Sequence, residues 1–408
     1  MQILMLSSTF PYPPTRGGTQ VRTFNLLKYL SQNHAITLLT QRHDSVTDAE
    51  VEGLREWAKE LVIFPLPVKS TSGGGFFGKL QRFSAFLQQG TPPNVLHQYS
   101  DEMQKWIDRA VPVGKFEVIT CEHSVNEIYV RQQWRQHIRT VANIHSSVYA
   151  TCKQQLETGT SENRLRDQLN LPLLRQYEQR YCSKFDRLVV TTEEDRQQIQ
   201  ALNPDVQLTV IPNGVDFSLF PMRSYDPGGH RLIFIGAMDN KPNIDAVHFF
   251  SLQAFPAIQK RYPDATLELV GARPMPEVVE LGRHPGITVT GRVPSMVEYL
   301  HKATICVVPM RTGYGIKNKT LEAMAAGVPV VGSDRGLEGL AVDGKEPLRA
   351  LRANEPVEYI DAISQLFEDA ALREQLSRNA RALIENEYTW ERAGTRYEQV
   401  LCSDIMSG

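Results

Sequence analysis

Short apolar runs alternate along this chain with longer segments whose apolar positions recur every three or four residues. Runs of that first kind read as buried strands and the recurrences as amphipathic helices, so the alternation predicts a parallel α/β architecture. The expected strands cover residues 2–8, 35–41, 61–66, 117–120, 139–145, 188–192 and 207–211 in the first half. In the second half they cover 231–236, 266–271, 287–290, 305–309 and 329–332. Helices are expected over 19–30, 244–261, 319–326 and 356–367, and two more, over 370–388 and 390–401, close the chain. Proline, glycine and aspartate cluster over 212–230 and break the pattern into two halves. Such a chain forms either one very large sheet or two Rossmann-like domains.

In open parallel sheets the ligand crevice lies at the carboxyl ends of the strands. The loops that follow strands are therefore the informative ones. Gly17-Gly18 follows the first strand, and His145-Ser146-Ser147 the fifth. Gly236-Ala237-Met238, Gly271-Ala272-Arg273-Pro274 and Gly291-Arg292-Val293-Pro294 follow strands of the second half. The richest stretch is 307–334, VVPMRTGYGIKNKTLEAMAAGVPVVGSD. A strand empties into Gly313-Tyr314-Gly315, a helix follows at once, and Gly327 stops it. A loop that opens a helix leaves unpaired N–H groups and a positive dipole end aimed at the crevice. Lys317 and Lys319 flank that end, and Glu322 is expected on the first turn. Amides and lysines suit a diphosphate, and a carboxylate just beyond suits a pair of sugar hydroxyls. Those are the two halves of a nucleotide-sugar, although an ordinary βαβ unit with a polar loop carries the same signals.

Composition narrows the class. A chain of 408 residues has room for two domains, and 41% apolar with 22% charged residues is ordinary for a globular protein. The net charge of −2 gives no footing for a nucleic-acid partner. The five cysteines are scattered without a Cys-x-x-Cys pair, which suits a reducing cytosol better than a zinc site or a disulfide framework. No basic leader with an apolar stretch precedes the first strand, and no apolar run has transmembrane length. A cytoplasmic protein with at most a peripheral membrane contact is expected.

At this point the sequence resembles the retaining glycosyltransferases of family 4, which have the two-domain GT-B fold. The resemblance rests on Gly17-Gly18, on Ile211-Pro212-Asn213-Gly214-Val215-Asp216, on Glu322-Ala323-Met324-Ala325-Ala326-Gly327-Val328-Pro329-Val330-Val331 and on Tyr388-Thr389-Trp390. Gly236-x-Met238 with Pro242-Asn243, and Gly315-x-Lys317-x-Lys319-x-x-Glu322, are similar to sugar transferases of bacterial exopolysaccharide assembly. The resemblance implies two Rossmann-like parallel-sheet domains facing across a cleft, the last helix returning to the first domain. It divides the chain into 1–215 plus 386–408 on the acceptor side and 216–385 on the donor side. It also implies transfer of a hexose from a nucleotide-sugar, a UDP-sugar such as UDP-glucose, to a glycan or lipid-linked acceptor. One departure stands out. Family members carry two glutamates separated by seven residues; Glu322 matches the second, which holds the ribose, and Tyr314 stands where the first would contact the sugar. The sugar is then expected to be read through backbone amides over 313–316.

The candidate catalytic residues are His145 and Lys317. The candidate donor contacts are Gly17, Gly18, Gly236, Val293, Gly315, Lys317, Asn318, Lys319, Thr320 and Glu322. No Asp-x-Asp occurs in the sequence, so lysines and a helix terminus are expected to meet the diphosphate without a metal or other cofactor. Each assignment has a plainer competitor. The lysines could be solvated, Glu322 could be a helix cap, and Gly17-Gly18 could form a simple turn. His145 could be structural, with His123 as its rival for a role on the sugar, and Arg16 and Arg22 are cations near the glycine pair. The segment 76–87, with apolar residues at helical spacing and basic ones between, fits a core helix or a helix lying on an anionic membrane. A nucleotide-sugar epimerase and a non-catalytic nucleotide-sugar sensor are the rival functions.

Overall fold

The computed structural model describes residues 1–14, 17–67, 86–88, 90–342, 344 and 347–403. Two sheets organise it, and every strand pairing in both is parallel. The first sheet contains β1 (Gln2–Ser7), β2 (Ala35–Arg42), β3 (Glu60–Pro65), β4 (Val118–Glu122), β5 (Arg139–Asn143), β6 (Arg187–Val190) and β7 (Leu208–Val210), in the order β3-β2-β1-β4-β5-β6-β7. The second contains β8 (Arg231–Ile235), β9 (Thr266–Val270), β10 (Ile287–Gly291), β11 (Ile305–Val308), β12 (Val330–Gly332) and β13 (Leu351–Arg352), in the order β10-β9-β8-β11-β12-β13. The expected strands are all present within a few residues of their predicted ends. Both sheets are doubly wound, as the run of buried β-branched residues with helices between predicts. Chain contacts gather the molecule into two compact units, Met1–Ile211 with Ala393–Gly408, and Pro212–Arg392.

In each sheet the strand order reverses once, between β1 and β4 in the first and between β8 and β11 in the second. Loops leaving neighbouring strands at a reversal diverge to opposite faces and leave a crevice between them. In the first unit these are the loops carrying Gly17 and His123. In the second they are the loops carrying Gly236 and the segment 313–317. Fold topology therefore selects two of the glycine-bearing loops in the second unit over the rest.

Local departures from expectation have local causes. The helix expected over 244–261 is two helices, Lys241–Phe249 and Phe255–Arg261, joined by a π-turn over Phe250–Ala254. Pro256 has no N–H to give to the carbonyl four residues back, and the widened turn accommodates the break. The short strand β13 is not among the expected strands; its two residues pair with Val331 and Gly332 of β12.

Two distant sequence motifs meet in the second unit. Val215 N–H donates to Tyr388 O at 2.9 Å and the two segments bridge at Val215 and Thr389. A Cβ on Gly214 would lie 2.3 Å from the backbone nitrogen of Trp390, so only glycine permits this approach. From Ala393 onward the closing helix, Trp390–Cys402, is fastened to the first unit. Gly394 lies against the ring of Tyr29, where a Cβ would come within 2.2 Å of Cγ, and Glu398 pairs with His34 at 2.7 Å.

Candidate functional site

The four residues of β11 are fully buried, and the chain leaves them through Gly313 (φ 90°) and Gly315 (φ 85°). Both lie in the left-handed region that a Cβ disfavours, which explains the glycine punctuation. The helix Asn318–Ala325 then begins with Lys317 as its cap, and the Lys317 side chain makes no capping hydrogen bond. That open terminus matches the sequence expectation. Glu322 does not. It is the fifth residue of the helix, not part of its first turn, so it is out of reach of the capping donors. Among the described residues its carboxylate accepts no hydrogen bond. Burial raises its pKa from 4.5 to about 7, with Lys319 opposing the shift.

Lys319 is not a solvated lysine either. Its ammonium donates to Asn243 Oδ1 at 2.5 Å, lies 3.6 Å from Met310 Sδ and sits over the Phe234 ring. Burial, reinforced by the charge of Lys317, lowers its pKa from 10.5 to about 7. Lys317 is 11% exposed; its ammonium donates to Gly315 O and is 3.6 Å from Glu338 Oε2.

Glu338 escaped the sequence reading. Its side chain is 2% exposed, accepts from Gly315 N–H at 3.3 Å, and pairs with Arg335 at 3.3 Å as well as with Lys317. The guanidinium of Arg335 stacks 4.2 Å from the ring centroid of Tyr314. A buried carboxylate thus underlies the glycine loop from the strand β12 side of the chain. This corrects one expectation: the Gly315 amide, counted among those reading the sugar, is engaged within the fold.

Of the other donor candidates in the second unit, Gly236, Asn318 and Thr320 adjoin this loop and its helix. At Gly236 a Cβ would lie 2.8 Å from Asn243 Nδ2 and 3.2 Å from Lys319 Nζ, so the glycine makes room for both side chains. Asn318 accepts from Asn213 at 2.7 Å. Thr320 is fully buried, its hydroxyl donating to Gly336 O at 2.7 Å and its N–H to Lys317 O at 2.9 Å, so both donors serve the loop itself. Val293, beyond Gly291, is half-buried and packs its side chain on the core of the second unit.

The first unit has its own cluster. Gly17 caps the helix Gly18–Leu30, whose first residue is Gly18, and Thr19 brings Oγ1 to 3.4 Å from His145 Nδ1. His145 lies in the loop two residues beyond the end of β5. Its ring meets that of His123 edge-on, with centroids 4.9 Å apart, and its buried Nε2 has no hydrogen-bond partner among the described residues. Burial lowers the pKa of His145 well below 6.5, with His123 and Arg22 adding to the shift; His123 is itself lowered to about 4. Both rings are neutral near pH 7, so His145 is available as a hydrogen-bonding group and not as a cation. The rivals for one role are thus two parts of one pair, and His123 holds it with a positive φ of 85°. Beneath them Arg22 is fully buried and donates to Asn143 Oδ1 at 3.0 Å. Asn143 in turn donates to Glu122, which also accepts from Tyr397 of the closing helix at 2.7 Å.

Residues 15, 16 and 68–85 lie outside the described residues, and with them Arg16 and nearly all of the segment 76–87. Among the described residues no helix is long and apolar enough to cross a membrane. The five cysteines are unpaired.

Comparison with known proteins covers most of the chain. Residues 16–219 match the family described as Glycosyltransferase Family 4, and residues 229–369 match Glycosyl transferases group 1. The D-inositol 3-phosphate glycosyltransferase of Paenarthrobacter aurescens is 25% identical over 240 residues, 53% of this chain and 57% of that protein. The chain thus spans little more than half the length of that relative. Among solved structures, sucrose-phosphate synthase from Thermosynechococcus elongatus superposes with a TM-score of 0.71 at 16% identity, over the full length of both chains. Anabaena HepE in complex with UDP-glucose superposes with a TM-score of 0.63 at 15% identity, over 99% of this chain and all of that one. At such identities these likenesses establish the fold, which is GT-B.

Proposed function

The chain belongs to glycosyltransferase family 4, and on that premise we propose that it moves a hexose from a UDP-sugar, such as UDP-glucose, to a glycan or lipid-linked acceptor with retention of configuration. The observation that carries this reading is the grouping, on one loop and helix, of a helix start whose cap residue makes no side-chain capping bond, two part-buried lysines and a carboxylate that accepts no hydrogen bond among the described residues. The terminus and the lysines suit the diphosphate. The carboxylate of Glu322 suits the two ribose hydroxyls. HepE, a structural neighbour, is described with UDP-glucose bound, which supports the choice of donor.

In the reaction the bond between the anomeric carbon and the diphosphate oxygen breaks as the acceptor hydroxyl attacks from the same face. The acceptor's proton passes to the leaving phosphate. Charge grows on the diphosphate in the transition state, where Lys317 and Lys319 act as fixed positive groups. His145, neutral, hydrogen-bonds the sugar and carries no proton through the cycle. The lysines make a divalent ion unnecessary, and the work is placed at the cytoplasmic side of a membrane that displays the acceptor in polysaccharide assembly.

The test is turnover of UDP-glucose, followed by release of UDP, with a panel of glycan and lipid-linked acceptors and with chelator present throughout. Release that depends on acceptor and survives chelation supports the reading. Binding without release under every acceptor would make the protein a sensor, and loss of binding under chelation would overturn the metal-free diphosphate site.

A further inference from the structure

Two lysines reach the open helix terminus, and the fold holds them in different ways. Lys317 is tied to a carboxylate, Glu338, 3.6 Å away. Lys319 is tied to an amide, Asn243, at 2.5 Å. The distinction has an electrostatic consequence. A carboxylate near an ammonium offsets part of the field that a ligand would feel, even where, as here, Arg335 shares it, while an amide oxygen anchors the ammonium through a dipole and leaves its net charge in place.

Asn243 is itself held in position. It is buried at 8% exposure in the helix Lys241–Phe249 and its Nδ2 donates at 2.8 Å to Ala237 O, just past the end of β8. That bond fixes which end of the amide faces Lys319. Gly236 admits the arrangement, because a Cβ there would lie 2.8 Å from Asn243 Nδ2. The charged or titratable groups that act on Lys319 are Lys317 and Glu322, which flank it in its own segment, and Cys306 on β11. From β8 it meets the ring of Phe234, and from the Lys241–Phe249 helix it meets Asn243.

We propose that Asn243 is a positioning residue for the diphosphate: its amide, braced on Ala237, holds Lys319 at the terminus of the Asn318–Ala325 helix with a neutral acceptor, so that the full ammonium charge faces the phosphates. The role rests on the reading of this loop as the donor site. An aspartate of the same shape would keep the lysine in place and lose its attraction for the ligand. An alanine would leave the ammonium without its acceptor and favour its neutral form.

UDP-glucose is a suitable probe, since its diphosphate diester keeps the same charge throughout neutral and alkaline pH. Affinity is measured by calorimetry between about pH 6 and pH 9 for the full chain and for Asn243→Asp and Asn243→Ala, each shown to be folded by its melting curve. The expected result is a loss of about tenfold or more for Asn243→Asp near neutral pH, the scale of one charge-assisted contact. The alkaline fall in affinity should move to higher pH in Asn243→Asp and to lower pH in Asn243→Ala. Equal losses in both variants with that fall unmoved would reduce Asn243 to a packing residue and overturn the proposal. So would wild-type affinity in either. If the wild-type chain binds neither UDP-glucose nor UDP, the donor-site reading falls and this role falls with it.

Discussion

The ammonium of Lys319 lies 4.3 Å from the centroid of the Phe234 ring. A cation gains from the face of an aromatic ring, but the ring also keeps water away, and here the loss of hydration dominates. The result is a lysine lowered to about 7 on the same helix as a glutamate raised to about 7.

Donor binding should therefore follow a bell-shaped pH profile. Above neutrality Lys319 loses its proton and with it the attraction for phosphate; below neutrality Glu322 gains a proton and stops accepting from two hydroxyls. An arriving diphosphate stabilises the ammonium and raises the lysine pKa, so binding at about pH 8 should take up protons. Calorimetry with UDP-glucose in buffers of different ionisation enthalpy reads the uptake directly. Affinity that stays flat between about pH 6 and pH 9 would contradict the assignment of both groups.

Glu322→Ala should weaken UDP-glucose binding by about tenfold or more, because hydrogen bonds to a charged acceptor contribute roughly 1.5–3 kcal/mol. Glu322→Gln should fall between the variant and the wild type, keeping an acceptor without the charge. The carboxylate makes no hydrogen bond among the described residues, so thermal stability should change little. Undiminished affinity in a folded Glu322→Ala chain would remove the ribose role.

Replacing Lys317 and Lys319 together with alanine should abolish measurable UDP binding, and added salt should reproduce part of that loss in the wild type by screening. His145→Ala should behave differently. Its neutral ring belongs to the first unit's cluster, and its contribution is expected in the transition state, so UDP affinity should hold while kcat falls. Equal damage to UDP affinity by His145→Ala and by the lysine pair would refute that division.

Gly236→Ala tests the packing of the site without touching a charge. The new methyl group would lie 3.2 Å from Lys319 Nζ and 2.8 Å from Asn243 Nδ2. The lysine or the amide must shift, and the backbone, at φ 154° where a Cβ is disfavoured, must relax as well. Donor affinity should drop by on the order of tenfold, with the far-ultraviolet circular dichroism unchanged. An alanine variant that binds as tightly as the wild type would show that the donor site does not depend on the close packing of Gly236 against Asn243 and Lys319.

Much of this protein is written in local pattern. The alternation of buried runs and helical periodicities marks the strands, and glycines at the ends of those runs mark the loops. Lys317, Lys319 and Glu322 are close in sequence to the helix start that gives them meaning, so one short window suffices to read them. The break at Pro256 goes unread, since the sequence reading runs one helix over 244–261 where the structure has two. What the tertiary structure alone decides is which distant groups meet these residues. Asn243 is 76 positions from Lys319, and Glu338 is 23 positions from Gly315. Neither has a spacing rule that points to its partner; the placement of β8 beside β11 brings Asn243 in, and the turn after β12 brings Glu338 in. Likewise His123 and His145 open different loops, and the pairing of β4 with β5 sets their rings together. Local periodicity reports which face of an element is buried, because backbone geometry repeats every two or 3.6 residues. It carries no record of which strand lies alongside which, and the charges and tautomers of a buried site depend on that neighbour.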